Sequence, residues 1–195
     1  MSDLPPGPFG CIYADPPWSF RSWSDKGKNR SPDFMVRQKG LAERHYATMS
    51  LADIRALPVA DVAAKDSALF LWAIDCMLPE ALELMSGWGF KFKTVAFTWV
   101  KQNKVSPTPA IGLGYWTRGN PEMCLLGTRG KPRRLSAAVR QLIEAPRREH
   151  SRKPDEVRDR IETLLPGPYL ELFARSTAPG WTVWGDQVGK LDDAA

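Results

Sequence analysis

Apolar residues recur along this chain in two alternating patterns, short continuous runs and helical repeats. Residues 10–14 (Gly-Cys-Ile-Tyr-Ala) read as a short buried strand ending at Asp15. Residues 67–74 (Ser-Ala-Leu-Phe-Leu-Trp-Ala-Ile) form the run expected of a strand buried on both faces. Residues 92–100, with Val95, Phe97, Trp99 and Val100, and residues 122–128 read as strands too. Leu170 to Phe173 and Trp181 to Trp184 are two further strand candidates. Between them the period changes. A short helix is expected over 50–57 with Ser50 as N-cap, and another over 79–88 opening at Pro79, because proline is tolerated at a first helical position. In 154–165, Val157, Ile161, Leu164 and Leu165 recur at helical spacing. Residues 136–144 fit strand or helix equally. Two long segments, 21–45 and 101–120, lack periodicity and read as functional loops. Strands alternating with helices imply an α/β sheet covered on both faces, and no repeat or linker divides residues 1–195, so one domain is expected.

Composition narrows the function classes. No apolar run approaches the ~18 residues of a membrane span, and the first residues lack the pattern of a signal peptide; a cytoplasmic protein is expected. Cys11, Cys76 and Cys124 stand far apart, and with only His45 and His150 to add there is no zinc-type spacing. Neither a disulfide framework nor metal chemistry is expected. His150 reads as a surface loop residue. The net charge of +5 is concentrated in two stretches. One runs from Arg21 to Arg44; the other holds Arg129, Lys131, Arg133, Arg134, Arg140, Arg147, Arg148, Arg152 and Lys153. Such clusters suit a polyanion, since each phosphate contact releases counterions, although a solvated charged face has the same composition.

Asp15-Pro16-Pro17-Trp18 directly follows the first strand, and ligands of open α/β sheets gather outside the carboxyl ends of strands. Two successive prolines fix φ and remove two backbone donors, leaving carbonyl acceptors in a rigid turn. Asp15 adds a carboxylate and Trp18 an aromatic face. An exocyclic amine presents two N–H donors, so paired acceptors can hold it and aim its lone pair at an electrophile while a ring stacks on the base. Positioning and electrostatics then supply most of the effect without a strong base. The alternative is a proline-rich turn whose Trp fills the core.

The tetrad is the signature of one branch of amino-methyltransferases. The chain resembles that branch, which includes the catalytic subunit of the eukaryotic messenger-RNA adenine methyltransferase and its bacterial and phage relatives. Further elements match in order: Tyr46-Ala47-Thr48-Met49, Leu69-Phe70-Leu71-Trp72, Trp99-Val100-Lys101, the segment from Gly112 to Gly127 with Trp116 and Glu122, Lys153-Pro154-Asp155-Glu156, Glu171-Leu172-Phe173-Ala174-Arg175, and Trp181 with Trp184-Gly185. The resemblance implies a Rossmann-like fold with a mostly parallel central sheet, helices on both faces, and the acceptor motif ahead of the cofactor strand.

By that resemblance, Asp15, Pro16, Pro17 and Trp18 form the catalytic centre. Asp15, Lys153, Glu171, Phe173, Arg175, Asp186 and Gln187 are candidate contacts to S-adenosylmethionine. Tyr46 and Lys101 lie near the substrate base, and Arg133, Arg147 and Arg152 are candidate nucleic-acid contacts. Two readings stay open: Glu171 could instead pair with an arginine, and Tyr46 and Trp99 could be core residues. The chain also departs from the eukaryotic pattern. Ser176-Thr177 stand where a His-Asn pair serves the cofactor's ribose, and Asp186 stands where Asn is usual. The basic insert at 21–40 looks more like the bacterial and phage enzymes. The expected function is therefore methylation of adenine N6 in DNA. The same reaction on RNA is the nearest alternative, and a non-catalytic nucleic-acid-binding partner is a second, against which the intact tetrad weighs. The loop 101–120 lies where relatives meet another subunit, so a homodimer or heterodimer would form there.

Overall fold

A computed structural model of the chain describes residues 3–19, 49–112, 116–149 and 151–192. Its centre is a seven-stranded sheet. The strands are β1 (Phe9–Ala14), β2 (Ala63–Ala73), β3 (Lys91–Gln102), β4 (Glu122–Arg129), β5 (Leu142–Pro146), β6 (Tyr169–Leu172) and β7 (Trp181–Trp184), in the order β5-β3-β4-β2-β1-β6-β7. β1 pairs in parallel with β2 and β6, β6 with β7, and β3 with β5. β4 alone runs antiparallel, between β2 and β3. The ambiguous segment 136–144 resolves as loop followed by β5, a short strand at the sheet's edge.

The helices are α1 (Leu51–Ala56), α2 (Val59–Val62), α3 (Leu78–Gly87) and α4 (Glu156–Leu164). Ser50 caps α1 as expected: its Oγ accepts from the Asp53 N–H at 3.1 Å. α3 is preceded by a 3-10 turn, Asp75–Met77, and carries its proline in the first turn. α2 and the 3-10 turn escape a periodicity search because neither completes a repeat.

Side chains alternate across the sheet, which divides the core. On one face Ile12, Leu69 and Leu71 pack with Ile54, Val59, Leu84 and Met85, so α1, α2 and α3 cover it. On the other, Tyr13, Phe70 and Trp72 pack with Val157 and Ile161 of α4. β2 is buried on both faces because it lies at the centre of both layers. Gly127 lets α3 approach β4: a Cβ there would stand 2.6 Å from the Met85 sulfur.

The topology brings chemistry to one end of the sheet. Ala14 and Leu172 are register partners on parallel strands, so Asp15 and Phe173 leave the sheet side by side. Because β4 is antiparallel, it begins where they end: Met123 pairs with Ala73 and Glu122 with Trp99. Pro154, ahead of α4, lies at the same end.

Candidate active site

Asp15 follows β1, and its carboxylate accepts from Lys153 Nζ at 2.7 Å. The same ammonium reaches Glu122 Oε2 at 3.3 Å, and Glu122 Oε1 is 3.1 Å from Lys101 Nζ. The groups form one alternating chain, Asp15–Lys153–Glu122–Lys101. Lys153 also stands 5.4 Å from the centre of the Trp72 ring, a cation–π contact. Trp72 in turn donates its indole N–H to the Tyr13 hydroxyl at 2.7 Å. Lys153 follows the segment that leaves β5 and Glu122 opens β4, so three strand ends converge on this cluster.

Burial and neighbours set the charges. Burial pushes the Asp15 carboxyl above its ordinary value; Lys153 opposes the rise and Glu122 adds to it. Burial alone would lower the Lys153 ammonium, but the two carboxylates hold it well above the usual lysine range. Burial also works against the charge of Glu122, yet Lys153 and Lys101 hold it below the usual carboxylate value. The cation between the two carboxylates thus offsets their mutual repulsion and favours the charged form of each.

A cleft partly open to solvent adjoins this cluster. Asp15, Lys153, Glu171, Phe173 and Arg175 line it together with Arg158, Ser176 and Leu191. Glu171 pairs with Arg158 at 2.6 Å, the arginine partnership left open by the sequence. It nevertheless borders the cleft; burial pushes its carboxyl up, and Arg158 offsets part of that rise. Phe173 holds φ at +63°, outside the usual range of a non-glycine residue, and its ring meets Trp184 edge-on at 5.7 Å. This turn is pressed against β7: a Cβ at Gly185 would come within 2.7 Å of the Ala174 carbonyl oxygen.

The structure handles the other sequence candidates differently. Trp18 is turned inward, 4% exposed, with its indole N–H donating to the Trp72 carbonyl at 3.2 Å. It anchors the tetrad in the core and offers no open stacking face. The Pro16 carbonyl accepts from Trp18 N at 2.8 Å and the Pro17 carbonyl from Met49 N at 3.1 Å. Each oxygen retains a second lone pair. Tyr46 lies outside the described residues. Trp99 is buried, as its apolar strand suggests. Asp186 is exposed. Gln187 keeps its side-chain oxygen buried, with no hydrogen-bond partner among the described residues. Arg152 lies on the cleft's lining, held by Glu149 at 3.2 Å and Asp155 at 3.5 Å.

Arg147 and Arg133 part company. The Arg147 N–H donates to the Gln102 carbonyl where β3 ends, at the Asp15 end of the sheet. Arg133 follows Arg129, the far end of β4, and nearby Leu135 bonds the carbonyl of Leu164 at the last turn of α4. From Glu122 to Arg129 the strand spans roughly 23 Å at about 3.3 Å per residue. The structure therefore separates Arg133 from the site, because the antiparallel β4 carries the chain away from it.

Glu122 is the residue whose role sequence reasoning underrated. Its signal was spacing to Cys124 and Leu125, which reads as strand and says nothing of the two lysines it bridges. Arg158 was missed similarly, as one charge on an amphipathic helix. Among the described residues no group of His, Cys, Asp and Glu could hold a metal ion. No helix among them is long and apolar enough to cross a membrane.

An acidic acceptor in a rigid turn, next to a cleft at the carboxyl ends of parallel strands, is consistent with an α/β methyltransferase fold. The MT-A70 family model matches residues 9–187. The chain is 33% identical to the type II methyltransferase M.MunI of a Mycoplasma species, over 95% of this chain and 80% of that one. It is 31% identical to an Arabidopsis thaliana N(6)-adenosine-methyltransferase MT-A70-like protein and 29% identical to METTL3, the human N(6)-adenosine-methyltransferase catalytic subunit. The chain spans 24% and 28% of those two proteins. It belongs to the MT-A70 family, and it is a methyltransferase.

Proposed function

We propose that this protein transfers a methyl group from S-adenosylmethionine to the 6-amino group of adenine in DNA. The observation that carries the reading is the double position of Asp15. This residue lines the cleft and also opens the Pro16-Pro17 turn, so in this reading one group would touch both reactants. The cleft fits the cofactor. Its lining carries the groups such a ligand needs: the Asp15 and Glu171 carboxylates suit an ammonium group, and Phe173 and Leu191 offer apolar surface. Lys153, Glu171, Phe173 and Arg175 would line the cofactor with Asp15; Asp186 is an exposed outer candidate. When bound, S-adenosylmethionine supplies an electrophilic methyl on a sulfonium sulfur.

The protein's own contribution is positioning. Asp15 accepts one N–H of the amine, and a proline carbonyl with a spare lone pair accepts the other. Lys153 and Glu122 fix the Asp15 carboxylate, and Lys101 is tied to Glu122 close by on the substrate side. Fixed acceptors of this kind stabilise charge as the amine becomes cationic, without reorganising during the reaction. The single sheet supports reading residues 1–195 as one catalytic domain. DNA is favoured by the basic excess and by similarity, over most of both chains, to a type II methyltransferase; its place of work is then the cytoplasm of a bacterial or phage-infected cell. The adenosine methyltransferases among the relatives favour RNA as a second reading. The exposed Ile111 and Trp116 in the loop 101–120 support a partner subunit there.

The test is incubation of the pure protein with methyl-labelled cofactor and matched adenine-containing DNA and RNA strands. Label in the adenine of DNA, abolished by Asp15→Ala, is the expected result. Label in RNA alone shifts the assignment to the second reading. No label in adenine from either nucleic acid overturns the proposal.

A further inference from the structure

After β7 the chain doubles back across the end of the sheet. Gly189, with φ of +85°, makes the turn, a conformation that suits glycine. Lys190 N donates to the Gln187 carbonyl at 3.0 Å and Asp192 N to the Gly189 carbonyl at 3.2 Å. This short strap is fastened to the segment leaving β6 at two points. Leu191 N donates to the Arg175 carbonyl at 3.0 Å. The Asp192 carboxylate accepts from the Thr177 N–H at 2.8 Å and from its hydroxyl at 3.0 Å. Leu191 is 8% exposed, yet it belongs to neither of the two hydrophobic cores. It lines the cleft with Phe173, Arg175 and Ser176.

Charged side chains supply much of the rest of that lining, among them Asp15, Lys153, Arg158 and Glu171, with Tyr13 and Pro154 between them. Leu191 and Phe173 add apolar surface beside Arg175 and Ser176, the surface a purine ring needs and an aminocarboxylate does not. From this arrangement we infer that the strap 187–192 is a wall of the cofactor site, with Leu191 covering the nucleoside half and Asp192 latching the wall to Thr177. The inference rests on the reading of the cleft as the S-adenosylmethionine site. It assigns a binding role to a segment that lies outside both hydrophobic clusters. The latch uses Thr177, at one of the positions where the chain departs from the eukaryotic pattern.

Isothermal titration separates the two claims. Wild-type protein, Leu191→Ala and Asp192→Ala are titrated with S-adenosylmethionine and with 5′-methylthioadenosine, which keeps the nucleoside and lacks the amino acid. Leu191→Ala should weaken both ligands about tenfold, the scale of a lost aliphatic contact. Asp192→Ala should weaken both about threefold, as expected for exposed hydrogen bonds. Ligand-free unfolding temperatures should fall modestly in both variants, by the packing of the buried Leu191 and the two Thr177 hydrogen bonds of Asp192, and bound cofactor should slow amide exchange in the strap. Wild-type binding with both variants equally tight overturns the strap's role, as does a Leu191→Ala effect on S-adenosylmethionine that spares 5′-methylthioadenosine. Wild-type protein that binds neither ligand overturns the reading of the cleft itself, and the strap's role falls with it.

Discussion

Lys153 donates to Asp15 across 138 residues of sequence, and its ammonium is simultaneously 3.3 Å from Glu122. Lys153→Met would leave two neighbouring carboxylates without the cation between them. Breaking a buried pair from one side is costly, and because both carboxylates keep part of their surface in water the loss should sit near the low end, about 3 kcal/mol. Urea unfolding of Lys153→Met measures it. The double variant Lys153→Met/Asp15→Asn should recover part of the loss while remaining inactive. Equal stability of the single and double variants would show that the pair is not coupled.

Glu122 should shape the pH profile. Asp15 serves as an acceptor only when ionised, and its carboxyl is held above the ordinary value of 3.8. Activity should therefore fall on the acid side at a pH higher than an ordinary aspartate would give. Glu122 contributes to that rise, so Glu122→Gln should move the acid limb of kcat/KM to lower pH. Glu122 is itself held below its usual value, so its stabilising contribution is complete above the ordinary carboxylate range. That contribution is lost as pH falls through the lowered value. Glu122→Gln should abolish this acid-side loss in thermal melts. An acid limb that stays in place would remove Glu122 from the account.

Trp18 offers a choice between two roles that differ in what they cost. As a core anchor it should respond to truncation like other buried aromatics: Trp18→Ala loses about 3–5 kcal/mol of stability. Trp18→Phe keeps most of the packing and forfeits the hydrogen bond to Trp72, about 1 kcal/mol. A ring that stacked on the substrate base would instead raise KM while leaving the melting temperature alone. Chemical denaturation and steady-state kinetics on the two variants decide between these outcomes, and the first is expected.

Much of this was legible in the sequence because strong local signals happened to agree with tertiary ones. The run from Ala68 to Ala73 has to be buried, and Ser50 before an amphipathic stretch has to cap. Asp15 after a buried strand locates the site's end of the sheet. Direction was not legible: nothing in Glu122–Arg129 says that this strand runs against its neighbours. That reversal brings Glu122 into the site and takes Arg133 out of it. Nor could an apolar tetrad residue such as Trp18 be assigned to base or core, since both uses need the same ring. Leu191 was invisible for the opposite reason, being one of two apolar residues in a short segment without periodicity, whose role depends on where the chain folds back.

The separation of Arg133 from Arg147 gives the last prediction. Both belong to one basic stretch, but Arg147 leaves β5 at the Asp15 end and Arg133 lies at the other end of β4. A nucleic acid that presents an adenine to Asp15 passes Arg147 first. Each phosphate contact that is lost lowers the slope of log K against log salt by about 1. Arg147→Ala should show that reduction, weakening binding uniformly across sequences, while Arg133→Ala keeps the wild-type slope. The measurement is a fluorescence-anisotropy titration of a labelled DNA strand at several salt concentrations. A smaller slope for Arg133→Ala with no change for Arg147→Ala would place the nucleic acid at the opposite end of the sheet, and Asp15 could then not be the group that receives its adenine.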